Sequence, residues 1–141
     1  MTQRLGTRAG AREVRRGVRR DRGSAVAEFA MVSGLVIVLF LAAFQLGFAL
    51  YVRNTLIAHA SEGARYGARA DSSPAAGAER ARSLIKGSVS SRFARDVRAE
   101  RVSEGGAAVV RVTVVAPMPV LGPFGPGDEL TVSARAYAED Q

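Results

Sequence analysis

Glu28 is the first residue whose type and position demand a chemical explanation. It stands at the threshold of 24 residues, Phe29 to Val52, that include no Asp, Glu, Lys, Arg or His. A carboxylate beside a bilayer-length apolar run costs free energy unless something compensates it. Other residues able to do chemistry are few. His59 is the only histidine, and no acid is spaced to orient it, so neither a catalytic triad nor a histidine-based metal site is supported. The absence of cysteine removes disulfides and thiolate metal sites. No serine lies in a nucleophile-elbow context, and no G-x-x-x-x-G-K-[ST] phosphate loop occurs. Glu104, Asp128 and Glu129 fall in glycine-containing turns, where acids commonly sit. The expectation is a protein without enzymatic activity, metal or cofactor.

The elements around Glu28 are set by hydropathy and charge. At about 1.5 Å per residue, a helix over Phe29–Val52 spans about 36 Å, enough to cross a hydrocarbon core of about 30 Å. A buried core helix of that length would keep a polar face, and this run has none. Of the formal net charge of +7, residues 1 to 22 carry +6, from eight Arg against Glu13 and Asp21. No aromatic residue interleaves with these Arg and no recognition fold follows them, so nucleic acid is not an expected partner. A basic flank of this kind retains the N-terminus in the cytoplasm and sends the C-terminal part outward. Gly6, Gly10 and Gly17 interrupt the basic segment, its apolar residues are few and its like charges repel, which predicts an unfolded tail.

A secretory signal has a shorter apolar core and a small-residue cleavage site close behind it. The A-x-A pattern Ala58-His59-Ala60 lies too far from the apolar block, with Arg53 between. Gly23-Ser24-Ala25-Val26-Ala27-Glu28 followed by the apolar run instead resembles the type IV prepilin leader. The resemblance implies that a membrane-embedded prepilin peptidase cuts between Gly23 and Ser24 on the cytoplasmic side, leaving Glu28 as the fifth residue of the mature chain. Such a cut places a positive α-amino group at Ser24. A helix beginning there also has a partially positive N-terminus, which favours a carboxylate near its first turn. The resemblance further implies that Glu28 meets the terminal amine of an adjacent subunit, so that assembly neutralises both charges. An interfacial carboxylate that reaches water is the simpler alternative.

At about 100° per residue, Ala27, Ala30, Gly34, Leu41 and Gln45 form a stripe on the membrane helix. Small residues there permit close approach of another helix, and Gln45 can hydrogen-bond across such an interface. The helix is expected to continue past Tyr51 and Arg53 to about Ala70, with Leu56, Ala60, Ala64, Gly67 and Ala68 at helical spacing and Glu62 within reach of Arg65 or Tyr66. The succession RGSAVAEF, apolar run and LYVRNTLIAHASEGARYGAR is similar to the TadE-like family of tight-adherence, Flp-type pilus assembly. The juxtamembrane motif that carries the similarity is Glu62, Gly63, Ala64, Arg65 and Tyr66. Physical chemistry alone reads that motif as solvated helix surface. Membership implies a minor pilin or pseudopilin that acts by assembly. Its partners would be the cytoplasmic membrane, the prepilin peptidase, other pilin subunits and the assembly machinery.

The remaining sequence predicts an α+β, type IV pilin-like exported domain. Ser73 as N-cap and Pro74 at the first helical position open a second amphipathic helix to about Arg95, with Ala81, Leu84, Ile85, Val89 and Phe93 on one side. Gly105-Gly106 separates two extended stretches, and Val110, Val112 and Val114 alternate with Arg111 and Thr113, a hairpin signal. In ELTVSARAYAE, Leu130, Val132, Ala134 and Ala136 alternate with Thr131, Ser133, Arg135 and Tyr137, as in a half-buried strand. The organisation expected is a basic leader over 1–23, a transmembrane and juxtamembrane helix over 24–70, and a domain over 71–141 in which the second helix packs on two or three antiparallel strands. Met118, Leu121 and Phe124, in the Pro/Gly-rich connection, form a docking patch or fold back over the sheet. Two rival functions are a permanently anchored envelope-binding module and a membrane-tethered nucleic-acid binder. The first needs neither Gly23 nor Glu28; the second needs residues 1 to 22 to stay attached.

Overall fold

The computed structural model describes residues 10–119 and 129–138, with side chains from residue 23 onward. Helix α1 runs Gly10–Ala68, helix α2 Pro74–Ser88, and a 3-10 turn Ser91–Ala94. Strands β1 (Asp96–Glu104), β2 (Ala107–Pro117) and β3 (Glu129–Tyr137) form an antiparallel sheet in the order β1-β2-β3. The expected α+β class is the observed one. The chain separates into two compact units, residues 1–43 and 44–141.

In the first unit the described chain is helical from Gly10, upstream of the start expected near Ser24. Residues 10–22 contain no proline and are rich in arginine, a good helix former, and extending a helix is far easier than nucleating one. From Gly23 onward the side chains of this unit are exposed, Ser33 being half-buried.

In the second unit the core begins inside the apolar run. Val52, Leu56, Ala60 and Ala64 repeat every four residues along one line of α1, and all are fully buried. Val52 thus belongs to the packed core while Tyr51 and Arg53 on either side are exposed. Ala81 and Ile85 of α2, Phe93 of the 3-10 turn, and Val97, Val112, Val114 and Val132 of the sheet complete the same cluster.

The capping signals hold. Ser73 is extended (φ −134°, ψ 157°) and its Oγ accepts from the Ala76 N–H, which satisfies one donor of the first turn. Helix α2 ends at Ser88 rather than near Arg95. Ser88, Val89, Ser90 and Ser91 explain the early stop, because serine hydroxyls compete for backbone groups and valine loses rotamer freedom in a helix. Ser88 Oγ donates to the Leu84 carbonyl at 2.6 Å. The 3-10 turn that follows still delivers Phe93 and Ala94 to the core.

Gly105 and Gly106 have φ of 61° and 87°, the left-handed pair that a two-residue hairpin requires. The register then runs without interruption from Glu104↔Ala107 to Asp96↔Val115, and from Val109↔Tyr137 to Pro117↔Glu129. Leu121 and Phe124 of the expected docking patch lie outside the described residues, and Met118 is half-buried.

Candidate functional site

Two surfaces could carry function. The first is the apolar face of α1 in the first unit. Phe29, Met31, Leu35, Ile37, Leu39 and Phe40 are all more than half exposed. Among the described residues this is the single helix long and apolar enough to cross a membrane, by length and composition. A hydrocarbon surface of this extent is stable only where lipid or another apolar helix covers it. Glu28, Ala27, Ala30, Gly34 and Leu41 are exposed there, and a Cβ on Gly23 or Gly34 would meet nothing within 4 Å. Gln45 belongs to the second unit, where it is half-buried and its Nε2 donates to the Pro119 carbonyl at 2.9 Å. An amide so engaged has less freedom to bond across an interface with another chain.

The second surface is built on the juxtamembrane motif, which the structure splits into two sides. Gly63, Ala64, Gly67 and Ala68 are buried, whereas Glu62, Arg65, Tyr66 and Arg69 are exposed. The series Leu56, Ala60, Ala64, Gly67 and Ala68 is the buried side, and the solvated surface expected of the motif is confined to the other side. A Cβ on Gly63 would lie 2.6 Å from the Gly77 carbonyl oxygen and 2.7 Å from the Ala81 Cβ, and one on Gly67 would lie 3.2 Å from the Gly77 Cα. Glycine at 63, 67 and 77 brings α1 and α2 together backbone to backbone, the small-xxx-small device of close helix pairs. The G-x-x-x-G spacing of 63 and 67 is visible in the sequence; its partner Gly77 carries no signal of its own.

The exposed side of the motif faces a groove of about 370 Å³ lined by Glu62, Arg65, Tyr66, Arg69, Ala136 and Tyr137. Glu62 pairs with neither Arg65 nor Tyr66, the two partners expected for it. Arg65 reaches the Ser61 hydroxyl at 3.5 Å instead. Arg69 is 3.2 Å from Asp71 and lies over the Tyr66 ring, 5.6 Å from its centre. Residues 23–65 match a family model described as TadE-like protein.

The TadE-like match opens at Gly23 and closes at Arg65, so it takes in the apolar helix and most of the juxtamembrane motif but not the sheet. TadE-like proteins are associated with Tad pilus systems and are typically structural. No curated protein and no solved structure gave a match.

Elsewhere polar side chains tie elements together. Arg82 donates to the Val97 carbonyl at 2.9 Å, joining α2 to β1. His59 Nε2 is 2.6 Å from Ser88 Oγ, joining α1 to α2. The Glu104 carboxylate bridges Arg111 and Arg135, whose strand positions are directly opposed. Their hydrogen bonds hold the Glu104 carboxyl below the usual carboxylate range. The sequence alone shows Glu104 only as a turn acid. Among the described residues no group of three or more His, Cys, Asp or Glu could hold a metal ion.

Proposed function

We infer that the chain is a minor pilin or pseudopilin of a tight-adherence pilus or secretion system, acting by assembly. The carrying observation is the uncovered apolar helix surface that begins immediately after Gly23-Ser24 and Glu28. The match to TadE-like proteins supports the pilus association. The excess of Arg before Gly23 supports an orientation with the N-terminus inside and the small α+β domain outside. The membrane anchor is a single helix, and a prepilin peptidase removes the basic leader after Gly23. Ser24 then becomes the N-terminus, and Glu28 pairs with the terminal amine of a neighbouring subunit. Ala27, Ala30 and Gly34 give the neighbouring helix a close approach, with Leu41 and Gln45 further along the stripe.

The intact mass and N-terminal residue of protein extracted from membranes of cells with the native processing machinery test this reading. A chain starting at Ser24 is the expected result. A chain starting at Met1 would replace it with a permanently anchored envelope module. Exchanging Gly23 for a bulky residue should block processing and leave membrane insertion intact; unaffected processing would move the cleavage site elsewhere.

A further inference from the structure

The two edges of the sheet are built differently. β1 is guarded: Asp96, Arg98, Glu100, Arg101 and Glu104 put charge on five of its nine residues. β3, also nine residues long, carries only Glu129 and Arg135, and has no proline and no lysine. Its register with β2 has no bulge from Glu129 to Tyr137. Natural sheets protect open edges with charge, proline or bulges, because an unpaired strand is a template for another strand.

The direction of the free backbone groups follows from the ladder. The Ala138 N–H donates to the Ala108 carbonyl at 2.8 Å, continuing the pairing past Val109↔Tyr137. Hydrogen-bonded positions alternate along an antiparallel strand. Ala136, Ala134, Val132 and Leu130 therefore bond to β2. Glu129, Thr131, Ser133, Arg135 and Tyr137 aim their N–H and C=O groups at the open edge, where among the described residues no strand pairs with them. The end of this edge, at Ala136 and Tyr137, shares the groove with Arg65 and Tyr66 of α1. Exposed tyrosine and arginine together are the composition of interface centres. Arg69 and Arg135 already have carboxylate partners in Asp71 and Glu104, whereas Arg65, among the described residues, has the Ser61 hydroxyl. Glu62 is the one acid in the groove, which limits the complement to a single carboxylate facing Arg65.

We propose that β3 is a docking edge for an extended segment of a different polypeptide, which adds as a fourth strand and brings a carboxylate to Arg65. Main-chain hydrogen bonds supply the attraction, and the Arg65 and Tyr137 groove supplies selectivity. The proposal stands apart from leader removal, which acts at the other end of α1, so either can fail alone.

The test uses the full chain in detergent micelles and, as probe, a dye-labelled, end-capped nine-residue peptide of alternating valine and threonine with one central glutamate, read by fluorescence anisotropy. Saturable binding is expected, at least about tenfold weaker when lysine replaces the glutamate, and several-fold weaker to Arg65→Ala. Ser133→Pro removes one outward N–H and none of the β2 ladder, so it should abolish binding while leaving the circular dichroism spectrum unchanged. Amide hydrogen exchange on the unaltered chain gives a second reading that needs no variant. The peptide should slow exchange at Thr131, Ser133 and Arg135 and leave β1 unaffected.

Absence of saturation at a peptide concentration on the order of 1 mM overturns the proposal. So do binding that survives Ser133→Pro with no slowing at β3 and equal binding of the lysine peptide. A dimer of the chain alone that Ser133→Pro converts to monomer would make a second copy the occupant. Slowing at β3 by phosphatidylglycerol vesicles without peptide would make it a lipid surface. Either result also overturns the proposal.

Discussion

Gly63 and Gly77 meet backbone to backbone: a Cβ on Gly63 would lie 2.6 Å from the Gly77 carbonyl oxygen, and one on Gly77 would lie 2.5 Å from the Gly63 carbonyl oxygen. No rotamer change relieves contacts of this kind, because both sides are main chain. α1 and α2 must therefore separate to admit even a methyl group, and the core cluster that includes Ala60, Ala64, Ala81 and Ile85 separates with them.

Gly63→Ala is accordingly expected to destabilise the protein by about 1–3 kcal/mol, the usual range for overpacking a tight contact. The gain in helix propensity, about 0.5–1 kcal/mol, offsets part of this. Gly87→Ala supplies the contrast. Gly87 lies in α2, and a Cβ there would meet nothing within 4 Å, so only the propensity gain acts and stability should rise slightly. Urea unfolding of both variants measures the difference. Equal midpoints would mean that the helices do not pack at the distance described.

The hairpin makes a different demand on glycine. Gly105 at φ 61° and Gly106 at φ 87° occupy the left-handed region with open space around each, so conformation and not room decides what fits there. Gly105→Ala should cost about 1–2 kcal/mol. Gly105→Asn should cost much less, since asparagine tolerates this region and Asn-Gly is a favoured hairpin turn. Thermal melts of the two variants should fall below the parent, alanine further than asparagine. Identical melting for alanine and asparagine would contradict the turn assignment.

Glu104 gives the sheet a dependence on acid. Arg135 and Arg111 donate hydrogen bonds to its carboxylate and lower its pKa in the folded chain from the ordinary value of about 4.5. Since the folded value is the lower one, its stabilising contribution is fully present above the unfolded value and is lost as pH falls through the folded value. Arg111 and Arg135 are directly opposed, and protonation leaves that like-charge pair without its bridge. The melting temperature of the parent should thus fall more between pH 7 and pH 3 than that of Glu104→Gln, a difference read by circular dichroism across the range. Parallel pH profiles would show that the bridge contributes nothing.

Legibility in the sequence follows the range of the interaction. Ser73, Pro74 and Gly105-Gly106 announce a helix start and a hairpin through local stereochemistry, and the alternation from Leu130 to Tyr137 names the buried face of β3. The end of α2 is misleading in the sequence because Leu84, Ile85, Val89 and Phe93 keep helical spacing through a serine-rich break. The 3-10 turn preserves the side on which Phe93 emerges while ending the helix. The helical spacing of Leu56, Ala60, Ala64, Gly67 and Ala68 marks the buried line of α1, but what that line packs against is hidden for a different reason. Glycine has no hydropathy signature, so the contact of Gly63 and Gly67 with Gly77 depends on a pairing of distant segments that periodicity within either helix cannot reveal. The bridging role of Glu104 is non-local in the same way: Arg135 is its neighbour only through strand order.

Glu28 carries the last prediction. It is exposed on a helix whose neighbouring side chains Phe29, Met31 and Val32 are exposed hydrocarbon, a setting in which an uncompensated carboxylate is costly. A water-seeking interfacial acid and a carboxylate that pairs with a neighbouring subunit's amine differ in what happens on removal. Glu28→Ala removes a charge that only the second case uses, and it leaves the Gly23-Ser24 bond untouched. The variant should be inserted and processed like the parent but recovered with other pilins in clearly smaller amounts after mild detergent extraction, measured by quantitative mass spectrometry of the purified complex. Undiminished recovery would assign Glu28 to the interface with water and leave the small residues Ala27, Ala30 and Gly34, with Leu41 beside them, to hold the helices together by packing alone.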